Sequence, residues 1–177
     1  MNLWMKSLGV GLIACWTLAL GGSPVQPGST VHVFADDLLR PREMVCHLQD
    51  GLVRMGQNWR NPVVYTLQSR KVFEGFSTSS FDLIYTLEED MGRIQLRRGE
   101  GQWSDDVLYT WYQGSVYIGD STFPLDLVYT TRTNPLSPEL IELYKEDSIS
   151  RFDRICVFVG QPAPEEIFVL LLAQGLL

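Results

Sequence analysis

Histidine and cysteine are scarce in this sequence, which has two histidines, His32 and His47, and three cysteines among 177 residues. A metal site needs several histidine, cysteine or carboxylate ligands at recognisable spacings, and the sequence contains no such cluster. A catalytic triad needs an imidazole that faces a nucleophile and is held by a carboxylate. His47 directly follows Cys46 in a segment with a helical pattern, where neighbouring side chains point about 100° apart. The sequence therefore predicts no metal site and no catalytic residue.

Phosphate-binding signals are also missing. There is no glycine-rich phosphate loop and no strand followed by a dinucleotide fingerprint, so no cofactor is expected. Acidic residues outnumber basic ones, 21 against 14, and the formal net charge is −7. A negative field of this kind repels nucleic acid, which is excluded as an expected partner.

Carboxylates do occur next to one another, but adjacent acids on a strand face opposite sides, so a catalytic pair would have to be assembled across the fold. These adjacent acids are Asp36-Asp37, Glu88-Glu89-Asp90, Asp105-Asp106 and Glu165-Glu166.

One long uncharged run stands at the amino terminus, from Leu8 to Leu20, after a short head that carries Lys6. This layout is typical of a secretory signal peptide, and we predict one over residues 1–21. Cys15 ends a Leu-Ile-Ala-Cys sequence that resembles a bacterial lipobox, so lipidation of Cys15 is an alternative, and an uncleaved anchor is another. The expected location is the periplasm, a lumen or the cell surface. Anchoring to a membrane is the alternative.

The rest of the chain predicts one domain. Residues 22–35 are rich in glycine, serine and proline, which favours a flexible tether. Residues 36–177 are enough for a single domain with a substantial core. Export would leave Cys46 and Cys156 in an oxidising compartment. They are interpreted either as a disulfide, which would close a loop of roughly 110 residues and add about 4 to 5 kcal/mol, or as two buried thiols.

Hydrophobic periodicity predicts a helix first and a sheet after it. Over residues 36–57, apolar pairs recur every seven residues, at 38/39, 45/46 and 52/53, which indicates one helical face. From residue 63 the period changes to two, and strands are predicted over 63–73, 81–87, 92–98, 107–113, 115–119, 125–131 and 154–160. Because the links between them are short and turn-rich, neighbouring strands must pair antiparallel.

Two further helices are predicted near the carboxyl terminus. Ser137 and Pro138 resemble the cap and first residue of a helix that ends near Glu146. A last helix covers residues 165–174 and is apolar almost all round, which is typical of a helix buried under a sheet. A homodimer or membrane-surface contact through this helix is the alternative. The predicted fold class is α+β: an N-terminal helix, a curved antiparallel sheet of about 6–7 strands, as a meander or partly closed barrel, and two C-terminal helical segments.

Aromatic residues are dense in the later strands, and alternation places bulk on both faces of the strand at 107–113. Such a strand is either central and covered on both sides or forms an aromatic wall that receives a ligand or partner. The candidate binding residues are Trp103, Tyr109, Trp111, Tyr112, Tyr117 and Tyr129.

Three function classes stay open on the sequence alone. The first is an exported, non-catalytic binding or accessory protein that holds an apolar ligand, a peptide or a protein partner on the aromatic sheet face. The second is an extracytoplasmic hydrolase with a dispersed carboxylate site. The third is a structural subunit of a membrane-associated assembly, with membrane contact only through an anchor or a partner.

Overall fold

The computed structural model describes residues 30–36 and 38–177. Twelve antiparallel strands close into a barrel in the order β1-β12-β11-β10-β9-β8-β7-β6-β5-β4-β3-β2. A single α-helix follows the last strand. The elements are β1 (Thr30–Phe34), β2 (Met44–Gln49), β3 (Leu52–Met55), β4 (Val63–Gln68), β5 (Lys71–Glu74), β6 (Leu83–Asp90), β7 (Arg93–Arg98), β8 (Val107–Tyr112), β9 (Ser115–Ile118), β10 (Leu127–Asn134), β11 (Ser137–Lys145), β12 (Arg154–Val159) and α1 (Pro164–Ala173).

The first and last strands close the barrel. In β1, His32 is paired with His47 of β2 on one side and with Val159 of β12 on the other. The predicted signal peptide, Cys15 and most of the predicted tether lie outside the described residues. The end of that predicted tether, Thr30–Phe34, is β1 itself, so it belongs to the barrel.

Successive strands are antiparallel, so the links between them alternate between the two ends of the barrel. The turn end carries tight two-residue turns such as Asp50-Gly51 and Gln113-Gly114, whose φ angles are all positive, as type I′ hairpin turns require. The other end, called the connector end below, carries six longer connectors. They are residues 35–43, 56–62, 75–82, 99–106, 119–126 and 146–153.

The helix α1 lies inside the barrel. Six consecutive apolar residues, Ile167 to Leu172, are buried, so every face of the helix is covered. They share one hydrophobic core with residues from all twelve strands, including Val31, Cys46, Val53, Leu67, Val72, Leu87, Leu96, Trp111, Val116, Tyr129, Leu143 and Phe158.

Contacts at both ends of α1 fix its direction. Arg70, in the β4–β5 turn, contacts Glu165 with 3.3 Å between Nε and Oε1. Near the start of β10, the Tyr129 hydroxyl donates a hydrogen bond of 3.0 Å to the Leu176 carbonyl. The helix therefore enters from the turn end, and the chain finishes toward the connector end.

The α+β prediction is wrong, although the antiparallel pairing and the last helix are confirmed. The described part of residues 36–57 contains no α-helix, only a short 3₁₀ turn at Pro41–Glu43, and most of it is the hairpin β2–β3 around Asp50-Gly51. The apolar pairs seven residues apart fit two strands joined by this turn as well as one helical face. The Asp-Gly turn signal, which favours a hairpin strongly, decides between the two.

The predicted helix at 137–146 is also wrong, because Ser137–Lys145 is strand β11. In β11 the apolar residues do not simply alternate with polar ones, and the register with β12 shifts between Leu143 and Tyr144. A bulge of this kind places neighbouring apolar residues in a helix-like spacing. The predicted strand 63–73 is in fact two strands, β4 and β5, around a Ser69-Arg70 turn.

Six antiparallel strand pairs repeat around the barrel: five are hairpins, and the sixth is the pair of β12 and β1 that closes it. A Tyr-Thr pair recurs in four of them, at 65–66, 85–86, 109–110 and 129–130. In the first three, the threonine hydroxyl donates to the carbonyl of the glycine that follows the hairpin, as Thr66 does to Gly75 at 2.7 Å. At the matching place in β2–β3, His47 Nδ1 contacts the Gly56 carbonyl at 2.7 Å. His47 therefore occupies the position of a structural threonine.

Candidate connector-end site

Large apolar side chains stand in solvent at the connector end. Of the thirteen exposed in the described residues, nine lie in the six connectors, and every connector has at least one. Single exposed apolar residues are ordinary, but their concentration at one end of the barrel makes this end the candidate site. This apolar ring consists of Leu38, Trp59, Phe76, Phe81, Trp103, Phe123, Leu125, Ile149 and Phe152.

Three connectors share the same hydrogen-bonded turn next to their exposed apolar side chains. A serine hydroxyl accepts a hydrogen bond from the backbone N–H two residues later and donates to an aspartate five residues later. The pairs are Ser77 with Asp82, Ser121 with Asp126 and Ser148 with Asp153.

The residue before each of these aspartates is apolar and almost wholly exposed. These residues are Phe81 at 97%, Leu125 at 98% and Phe152 at 98%. The serine and aspartate side chains form the hydrogen bonds of the turn, whereas the apolar side chain points into solvent. Three turns of one design thus each direct a large apolar group into water.

Charge in the later connectors is mostly negative. In each of the last four connectors the acidic residues outnumber the basic ones. Asp82, Asp126 and Asp153 serve the turns, whereas the Glu146 carboxylate forms no hydrogen bond or ion pair with the part of the chain that the structure describes. The apolar ring is thus set among carboxylates, which favours a cationic partner.

A groove of about 580 Å³ lies beside the ring, between the last two connectors. Asp147 at its edge is paired with Arg132 at 2.7 Å, so that carboxylate is neutralised. The groove is lined by Ser115, Tyr117, Pro124, Leu125, Leu127, Thr130, Glu146 and Asp147.

The aromatic residues predicted to bind are divided between the core and the surface. Tyr109, Trp111 and Tyr129 pack into the barrel core around α1. Burial raises the pKa of Tyr129, and the neighbouring Tyr109 raises it further. A closed barrel turns this face of its strands inward, so these three side chains are enclosed with the helix.

The other predicted aromatics lie away from the core. Trp103 is exposed and belongs to the apolar ring, Tyr117 lines the groove, and Tyr112 is partly exposed near the turn end. The structure does not bring the six predicted residues together. The remaining ring residues were missed because they sit in segments rich in turn formers. The repeated serine-to-aspartate spacing at 77–82, 121–126 and 148–153 would have revealed those in the three connectors that contain it, but not Leu38 or Trp59.

Cys46 and Cys156 are free, buried thiols. They lie on β2 and β12, and β1 runs between those strands. Two strand spacings are roughly 9–10 Å, whereas the Cα atoms of a disulfide are usually about 4.4–6.8 Å apart. Burial raises the pKa of each thiol to about 12. The neighbouring Cys46 also raises the pKa of Cys156, and the Gln174 side chain lowers it.

We predict that a thiol reagent at pH 8 will label neither Cys46 nor Cys156 in the native protein, and both after unfolding without a reductant. Burial excludes the reagent, and a raised pKa leaves little thiolate, which is the reactive species. Mass spectrometry after labelling in the presence and absence of urea measures this. An unreduced, denatured chain in which both cysteines resist labelling would show that they are bridged.

The two histidines face each other across β1 and β2, with ring centroids 6.2 Å apart. Burial lowers the pKa of His32, and the nearby His47 lowers it further. Arg54 of β3 is the cross-strand partner of His47. No carboxylate partner of either histidine ring is seen among residues 30–36 and 38–177.

A buried polar cluster ties β11 to β12. The Glu142 carboxylate accepts from Arg154 at 3.1 Å and from the Tyr144 hydroxyl at 2.7 Å. Burial raises the pKa of Tyr144, as does its hydrogen bond to Glu142. Each group is satisfied by its neighbours, so the cluster stabilises strand pairing.

Within the described ranges, no three His, Cys, Asp or Glu side chains are grouped closely enough to hold a metal ion. No helix in that part of the chain combines the length and apolar character needed to cross a membrane.

Comparison with known proteins agrees with the sixfold arrangement. An X-ray structure of a protein from Arabidopsis thaliana is similar, with 14% identity and a TM-score of 0.41 over 85% of this chain and 90% of that one. No curated protein matches. The family described as "6-fold beta flower protein" matches residues 35–153. That range covers all six connectors and the five hairpins from β2 to β11, and it leaves out β1, β12 and α1. The chain belongs to the 6-fold beta flower family.

Proposed function

We propose that this protein is an exported, non-catalytic binding protein that holds a protein partner against the apolar ring at its connector end. The observation that carries the proposal is the repeated turn that presents Phe81, Leu125 and Phe152 to solvent. These side chains add nothing to the packing of the barrel. Their exposure is useful only if another surface covers them.

The ring is large enough for a specific interface. An aromatic side chain buries about 150–250 Å², so four aromatic side chains of the ring could together bury roughly 600–1,000 Å². A standard interface needs about 800 Å² from each partner. The four tips, Trp59, Phe81, Trp103 and Phe152, come from four different connectors. Aromatic anchors of this type commonly contribute most of the binding energy.

Site-specific photo-cross-linking in the source cells tests this proposal. A benzophenone amino acid replaces Phe81 or Phe152 in one pair of variants, and Met91 or Leu136 in a control pair. The controls are also exposed apolar residues, but they lie at the turn end. We expect a discrete, saturable protein adduct from the connector end only. Equal adducts from both ends, or none from either, would contradict a binding role for the ring.

A further inference from the structure

The fifth hairpin departs from a pattern that the four hairpins before it share. The residue after four of the hairpins is a glycine with positive φ, and its N–H donates to the carbonyl two residues before the Thr or His of the repeat. These glycines are Gly56, Gly75, Gly99 and Gly119. After the fifth hairpin, Glu146 occupies the same place, because its N–H donates to the Val128 carbonyl at 2.7 Å with a φ of 53°.

Glutamate is an unfavourable residue at this position. A side chain with positive φ is disfavoured where glycine is not. Here it brings a carboxylate to the groove, which Tyr117, Leu125 and Leu127 also line. The groove thus has an unpaired carboxylate at a position where four other hairpins have a glycine.

We propose that this groove binds a lysine or arginine side chain of the polypeptide partner, with Glu146 as its counter-ion. The inference rests on the proposed function and names the chemistry of the partner. The apolar stem of such a side chain packs along Leu125 and Leu127, as long basic side chains do on apolar surfaces. The cationic head lies between the Glu146 carboxylate and the Tyr117 ring, and both attract it. The volume, about 580 Å³, suits one side chain and its flanking backbone.

Charge complementarity favours a basic polypeptide over an anionic membrane as the occupant. Carboxylates repel anionic headgroups, whereas they steer a basic segment toward the ring. A lipid surface is therefore an outcome that would overturn the inference.

The test uses the purified protein and the peptide acetyl-Gly-Ser-Leu-Arg-Leu-Ser-Gly-amide, with a Gln-for-Arg peptide beside it. NMR titration follows the Leu125 and Leu127 methyl signals. We expect them to shift with the arginine peptide and at least threefold weaker binding for Glu146→Gln. Binding should also weaken between 20 and 300 mM NaCl, because an ion pair is screened. No shift, or equal affinity for both peptides, would overturn the inference.

Two further variants make the result specific. Asp50→Asn removes a carboxylate at nearly the same φ, 52°, but at the turn end, and should leave peptide affinity unchanged. Glu146→Gly restores the residue of the other hairpins, so we expect it to fold at least as stably and to lose binding like Glu146→Gln. An equal loss in Asp50→Asn would show a general charge effect and would overturn the groove site.

Vesicle binding tests the alternative that a membrane, rather than a polypeptide, occupies the groove. We expect no co-sedimentation with phosphatidylcholine vesicles or with vesicles containing phosphatidylglycerol. If the protein binds the phosphatidylglycerol vesicles and Glu146→Gln strengthens that binding, the polypeptide assignment is overturned.

If cross-links from Phe152 persist while the peptide gives no shift, the groove inference fails and the proposed function stands. If cross-links are absent from both ends while the peptide binds, the proposed function fails.

Discussion

Replacing Phe168 with alanine should lower the free energy of unfolding by about 3–5 kcal/mol. Phe168 is fully buried in α1, at the centre of the barrel. Twelve paired strands cannot collapse around a missing ring, since barrel circumference is set by strand number and register. The cavity therefore persists. Because small domains are stable by only about 5–15 kcal/mol, this single change should remove a large share of that total. Equilibrium urea unfolding measures it.

Phe81→Ala is the matched control. It removes the same side chain from a position that is 97% exposed, so stability should change by no more than about 0.5 kcal/mol. Similar losses in the two variants would contradict the placement of α1 inside the barrel.

Gly51→Ala should be the most destabilising of the glycine-to-alanine changes in the hairpin turns. Gly51 has a φ of 76°, and a Cβ there would lie 2.4 Å from the Leu67 backbone oxygen. That oxygen belongs to the adjacent strand, and the Leu67 N–H donates to the Gly51 carbonyl at 2.7 Å. Relief of the clash therefore requires movement of paired backbone. We expect a loss of about 2–4 kcal/mol, from unfavourable φ and overpacking together.

Gly92→Ala separates these two contributions. Gly92 has almost the same φ, 78°, in the turn between β6 and β7, but a Cβ there meets nothing within 4 Å. Only the backbone preference is lost, so the expected effect is about 1 kcal/mol. Thermal unfolding of both variants measures the difference. Equal shifts in Tm would mean that the clash between a Cβ at position 51 and the Leu67 backbone oxygen does not lower stability.

Local signals were enough for part of this fold. The helix at Pro164–Ala173 could be predicted because proline and acids start it and its apolar surface has no polar side. The antiparallel pairing followed from short links. The hairpin β2–β3 could not be told from a helix by periodicity, because residues such as His47 and Arg54, seven apart along the chain, become partners across the turn. Barrel closure depends on β1 meeting β12, and no local pattern encodes that contact.

The candidate site was predicted less well, for a physical reason. Density of aromatic residues does not say which side of a strand is covered, and closure around α1 encloses Tyr109, Trp111 and Tyr129. Trp103 was the one predicted aromatic that joins the exposed ring. Phe81 and Phe152 stand in segments that otherwise read as turns, so their exposure became evident only from the structure. The unusual position of Glu146 is evident only when it is compared with the glycines that follow the other hairpins.

Closure of the barrel by β1 and β12 also governs when the chain can fold. His32 must find Val159, with most of the polypeptide in between, before the barrel has no open edge. Contacts so distant in sequence are slow to form. During synthesis, the early hairpins emerge before either their closing strand or the helix that fills the interior exists. Until β12 and α1 have been made, the hairpins that form early keep an unpaired strand edge and have no helix to fill the interior.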